Sequence, residues 1–163
     1  MFQVSRRADY AIRMMIELGK QEPGECLPAR EISRKTSVPK AFLHKITKDL
    51  VKAALVRTYA GTQGGVALAQ PAAEISLLHI IEAVEGPVCL NTCLLRPREC
   101  PRDLLCPGHG FWARLQNVLV AELSGVTVAD LAAEAKQLSQ NPERPSYITY
   151  LFAEDIEMIP AIG

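Results

Sequence analysis

The chain has 163 residues, enough for one large domain or a small domain with an appendage, and enough to bury a sizeable core. Hydrophobic residues make up 48% and charged residues 22%, and no run approaches the roughly 18 consecutive apolar residues of a membrane span. The net charge is zero by cancellation: residues 1–60 hold twelve Lys and Arg against six Asp and Glu, a net of +6, and residues 61–163 carry −6. Such asymmetry suits a polyanion-binding head joined to a tail of another kind. The opening MFQVSRRADYAIRMM has no apolar export segment, so the expected setting is a reducing cytoplasm with no membrane partner.

Ala11, Met14, Met15 and Leu18 recur at helical spacing after Ser5, and Pro23-Gly24 stops the pattern, which predicts a first helix over about 6–20. A short second helix follows at about 28–36. The TSVP break then offers Ser37 as N-cap, with Pro39 in the first turn of a third helix at about 38–53. That helix sets Leu43, Ile46 and Leu50 on one face and Ala41, His44, Lys45, Lys48 and Lys52 on the other. Two strand-like runs, Leu55 to Tyr59 and Val66 to Leu68, flank a turn with Gly61, Gly64 and Gly65 and predict a β-hairpin.

Leu77, Ile80, Ile81 and Val84 signal a fourth helix ending at Gly86-Pro87. Residues 87–109 hold four of the five cysteines and four prolines, an irregular loop organised by something other than a core. The helical pattern returns at about 109–124, with Trp112, Leu115, Leu119 and Leu123 assigned to one stripe, and a short helix is expected at about 127–138. The stripe reads as a dimer interface in preference to a helix packed on its own domain. The expected division is a DNA-binding domain over 1–86, a cysteine-rich loop over 87–108, dimerisation helices over 109–140, and a tail over 141–163 without an assigned role.

The fold class that follows is mainly α with a small β-hairpin wing: a winged helix-turn-helix plus a long dimerisation helix. In such a fold the third helix enters the major groove of double-stranded DNA and the hairpin touches the adjacent backbone or minor groove. Base edges and phosphates need donors and acceptors on one face. Lys40, Ala41, His44, Lys45 and Lys48 on the helix, and Arg57, Thr58 and Gln63 on the hairpin, are the candidate DNA-contacting residues. The competing account of Lys45, Lys48 and Lys52 is a plain solvated face; the hairpin and the +6 charge weigh against it.

Cys93, Cys100 and Cys106 are separated by six and then five residues, and His109 stands three beyond Cys106. Thiols in a Pro-rich loop of a chain without an export signal suit metal or redox chemistry better than disulfides. Structural zinc sites usually show short CxxC knuckles, which this stretch lacks, so the wider spacing leans toward an iron–sulfur cluster.

Taken together, roughly residues 1–138 resemble the Rrf family of bacterial winged-helix regulators, with its IscR-like and NsrR-like members. The matching pieces are DYAIR, LHKITKDLVKAALV, GTQGGVAL, the EGP before the loop, the three cysteines and CPGHGFW. The resemblance implies a homodimer with crossed long helices, a cluster held by Cys93, Cys100 and Cys106 near that interface, and DNA binding governed by the cluster's state. For the fourth ligand it offers two alternatives. IscR-like members use a histidine matching His109 and hold a 2Fe-2S cluster; NsrR-like members use an aspartate matching Asp9, donated by the partner subunit, with a 4Fe-4S cluster. Without the resemblance, Asp9 reads as a cap or ion-pair partner of the first helix and His109 as a polar group near a helix N-terminus.

The sequence departs from the family at several points. Ala54 stands where many members have Gly, Val66 follows the glycines where an aromatic is common, the gap from Cys93 to Cys100 is one residue longer, and Cys89 is additional. Cys26 reads as structural or incidental. The expected function is a transcriptional regulator, acting as a repressor, whose operator affinity follows iron–sulfur status, redox state or nitric oxide, with nitric oxide or oxygen as a diatomic ligand at the cluster. The alternatives are a metal-free thiol redox regulator and, from another class, an iron–sulfur electron carrier. The carrier would have no use for the basic helix face and wing. No paired nucleophile and base supports an enzyme.

Overall fold

The computed structural model describes residues 4–61, 64–96, 99–102 and 105–140. Gln63 and the 141–163 tail therefore lie outside the described residues. Helix α1 spans Arg6–Gly19 and starts at Ser5, whose Oγ accepts a hydrogen bond from the Ala8 backbone N–H at 3.1 Å. Its stripe of Ala8, Ala11, Met14, Met15 and Leu18 is buried and makes α1 the central helix of the core. Helices α2 (Ala29–Thr36) and α3 (Lys40–Lys52) pack against it.

The turn between α2 and α3 differs from the sequence expectation at Ser37. Ser37 does not cap α3; it adopts a left-handed conformation, φ 58°, at the end of α2. The residue that enters α3 is Pro39, at φ −60° and ψ 139°, because its ring already supplies the extended N-cap geometry. Hydroxyls of α2 hold the turn in place of a capping serine. Thr36 Oγ1 donates to the Ile32 carbonyl at 2.7 Å, and Ser33 Oγ donates to the Val38 carbonyl at 2.8 Å.

Strands β1 (Val56–Tyr59) and β2 (Gly65–Leu68) pair antiparallel, Val56 opposite Leu68 and Tyr59 opposite Gly65. Leu27 joins as a third short rung, exchanging backbone hydrogen bonds with Val66 at 2.9 Å each way. A side chain on Gly65 would run into the Leu27 carbonyl, so this rung needs glycine there. After a 3-10 turn at Ala72–Glu74, α4 (Leu77–Glu85) opens with a capping box between Ser76 and His79.

A one-turn helix, α5 (Thr92–Leu95), interrupts the cysteine-rich connection. Helix α6 (Pro107–Gly125) is the longest, and none of its residues is fully buried. Helix α7 (Val128–Gln140) turns back onto the head: Val128 and Ala132 bury against α1, and Val128 belongs to the same hydrophobic core as Met14 and Ile46. Gly19 permits this approach, since a β-carbon there would lie 2.6 Å from Val128 Cγ1. Backbone bonds from Leu77 to Val126 and from Val128 to Ile75 tie the start of α7 to the start of α4. The architecture is a mainly helical winged helix-turn-helix with a long extra helix. No described helix is long and apolar enough to cross a membrane.

Candidate nucleic-acid interface and cysteine loop

The apolar face of α3 is anchored by Leu43, Ile46 and Leu50, each at most 2% exposed. This orients the opposite face outward, so Lys40, Ala41, His44, Lys45 and Lys48 are all exposed. The wing stands beside that face. Between them lies a cleft of about 410 Å³ lined by His44, Thr47, Lys48, Val51, Thr58 and Val66. It combines an imidazole, an ammonium and two hydroxyls over an apolar floor, the donor and acceptor set that phosphates and base edges call for.

Two details go beyond the sequence. Thr47 lines this cleft, its Oγ1 3.8 Å from Met14 Sδ, and its position three residues after His44 was the available signal. Two wing residues that the sequence grouped differ in placement: Thr58 lines the α3 cleft and Arg57 does not, while both line a neighbouring cleft with Tyr59 and Gln70. Tyr59 is 49% exposed, which gives that neighbouring cleft an aromatic as well as a guanidinium.

In the second half, Cys93 sits in α5, Cys106 is the N-cap residue of α6, and Cys100 lies between them; all three are half-buried. None of the five cysteines forms a disulfide. His109 occupies the first turn of α6, its backbone N–H bonded to the Cys106 carbonyl at 3.1 Å. Cys89 Sγ donates to the Asn91 carbonyl at 2.9 Å. The start of the loop is fastened to α6 by Gln116, which accepts from the Leu90 N–H at 2.9 Å and donates to the Val88 carbonyl at 2.6 Å.

Asp9 lies in the first turn of α1, where Oδ2 pairs with Arg13 Nη2 at 2.8 Å. Thiols left out of disulfides on one connection, with an imidazole three residues on, have the donor chemistry an iron–sulfur cluster requires. Among the described residues, no three of Cys, His, Asp and Glu come close enough together to hold a metal ion.

The stripe assigned to α6 divides in two. Phe111, Leu115 and Val118, at helical spacing, are 51%, 40% and 60% exposed. Leu119 and Leu123 turn inward to a cleft of about 420 Å³ against Val4, Ala8, Ile81 and Cys89. Leu115 therefore goes with the outward group, and α6 has an apolar side toward its own head and another toward solvent.

The sequence and fold match known regulators. The chain is 32% identical over 138 residues to the transcriptional regulator NsrR of Oceanobacillus iheyensis, covering 83% of this chain and 92% of that protein. It superposes on the oxidised form of Staphylococcus aureus CymR with a TM-score of 0.62, at 27% identity, covering 80% of this chain and 96% of that one. The structure of T. potens IscR shares the fold, with a TM-score of 0.68 at 21% identity, covering 91% of this chain and 97% of that one. Residues 4–134 match the family described as Rrf2, iron-dependent transcriptional regulators, and the chain belongs to that family of DNA-binding regulators.

Proposed function

We propose that this regulator binds a partly palindromic operator as a homodimer and that its cysteine loop sets operator affinity. The observation that carries the reading is the α3–wing cleft, where His44, Thr47, Lys48 and Thr58 converge on an exposed face. Two such faces, related by a two-fold axis, would read two half-sites. The exposed stripe of Phe111, Leu115 and Val118 on α6 supplies an apolar surface for the second copy.

In the favoured form of this reading the loop holds an iron–sulfur cluster. Cys93, Cys100 and Cys106 would be its thiolate ligands, and Asp9 of a second copy or His109 the fourth. An oxygen or imidazole ligand is more exchangeable than a thiolate, so that iron would be the point of attack for nitric oxide or oxygen. That no three such donors meet among the described residues is consistent with a ligand supplied across a dimer. A second reading, a metal-free thiol sensor, is supported by the solved oxidised form of the S. aureus relative.

Anaerobic purification followed by absorption and Mössbauer spectroscopy, on wild type beside Asp9→Ala and His109→Ala, distinguishes the two. The cluster reading expects a coloured, iron-loaded wild type whose spectrum one of the two substitutions alters. A colourless protein that takes up no iron, yet binds DNA in a thiol-dependent way, replaces the cluster with the thiol sensor.

A further inference from the structure

The recognition helix carries one carboxylate. Of the thirteen residues of α3, KAFLHKITKDLVK, four are lysines and Asp49 is the single acid. It directly follows Lys48 and stands about one turn from Lys45 and Lys52, among the side chains that would meet phosphates. A bare carboxylate in that position opposes the same phosphates.

Arg7 of α1 reaches it. Arg7 Nη2 donates to Asp49 Oδ2, joining residues 42 apart in sequence, with the two side chains 41% and 28% exposed. Arg7 Nε is buried and has no partner among the described residues, so Asp49 is the guanidinium's hydrogen-bonded anchor. Nearer the start of α3, Phe42 meets Tyr10 of α1 edge to face, ring centroids 5.3 Å apart. Helix α1 thus meets the flank of α3 through an aromatic contact toward one end and an ion pair toward the other. The ion pair alone bears on charge.

We propose that Arg7 is a positioning residue for DNA recognition: through Asp49 it cancels the one negative charge of the recognition helix and holds that helix's end against α1. Arg7 itself does not touch DNA. This rests on the reading of α3 as the DNA-facing helix. A half-buried carboxylate stripped of its partner would turn to solvent, and in the complex that solvent side is lined by phosphate.

The test is a double-mutant cycle read by fluorescence anisotropy at several salt concentrations, using a duplex that wild type enriches from a randomised library. Arg7→Ala should weaken binding by about fivefold to tenfold, the effect of one uncompensated charge near a polyanion. Asp49→Asn alone should bind at least as tightly as wild type. The double variant should return to about wild-type affinity, with an unchanged slope of log affinity against log salt. Thermal unfolding of each variant runs alongside, and if Arg7→Ala does not fold, Arg7→Gln carries the same cycle.

If the double variant stays weak and its salt slope falls by about one, Arg7 is a phosphate contact and the proposal fails. A lower melting temperature with unchanged affinity makes the pair purely structural and also overturns it. If wild type enriches no duplex at all, the reading of α3 fails first, an outcome distinct from both.

Discussion

Ala54 holds a left-handed conformation, φ 56°, just past the end of α3. The Leu55 N–H bonds to the Leu50 carbonyl and the Ala54 N–H to the Val51 carbonyl, both at 2.9 Å, the paired closure usually built around glycine. An L-residue pays about 1–2 kcal/mol to stand there, and glycine would return part of that gain through its larger unfolded entropy. Ala54→Gly should therefore stabilise the protein by about 0.5–1 kcal/mol, seen as a higher melting temperature with an unchanged denaturant slope. A lower melting temperature would show that Ala54 is not strained. The departure from the family at this position was visible in the sequence; its physical cost required the backbone angle. Asp9 is similar. A carboxylate at a helix start with an arginine four residues on was legible; that the two meet at 2.8 Å required the side-chain geometry of α1 itself. An exposed i,i+4 pair contributes about 0.3–0.5 kcal/mol, weak enough for Asp9 to exchange Arg13 for another partner.

At the level of the elements, the helices were legible because their apolar residues recur with the helical period and their ends carry Ser, Pro or Gly. The hairpin was legible from its glycines, but not which of Arg57 and Thr58 faces α3, since register is set by pairing. Helix α7 shows how a local signal becomes a measurable property. Thr127 and Asp130 cap it reciprocally: Asp130 Oδ2 accepts from the Thr127 hydroxyl at 2.6 Å and from its backbone N–H at 2.9 Å, while Thr127 Oγ1 accepts from the Asp130 N–H at 3.2 Å. The hydroxyl bond first, and the backbone bond second, hold the Asp130 carboxyl below its ordinary value of 3.8. A carboxyl lowered by folding contributes stability above its unfolded value and loses it as pH falls through the folded value. Urea unfolding of wild type and Asp130→Asn should thus show a constant difference near neutral pH that shrinks below about pH 4. A difference independent of pH from about 6 down to about 2 would mean the charge on Asp130 plays no part in the cap.

Across the whole molecule, the division of charge at residue 60 is a division of the chain rather than of space. Helix α7, with Asp130 and Glu134, lies in the acidic half of the sequence yet packs on α1 of the basic head. Burying Val128 in the core it shares with Met14 and Ile46 stabilises by roughly 1.5–3 kcal/mol. Helix α6 is left bridging from head to solvent, apolar on both sides. If its outward stripe seats a second copy, Leu115→Glu with Val118→Glu should yield a folded monomer by sedimentation, with operator affinity reduced at least tenfold through loss of the second half-site. A double variant that remains dimeric would remove α6 from the interface.

The order of elements, the basic face of α3, the wing and the clustering of thiols in one loop all follow from local spacing and composition, and so were legible in the residues alone. It took the folded chain to show that Thr47 and Thr58 share a cleft with His44 and Lys48, that Arg7 reaches Asp49, and that the α6 stripe splits. Those facts depend on contacts between residues distant in sequence, which periodicity along a single element cannot encode.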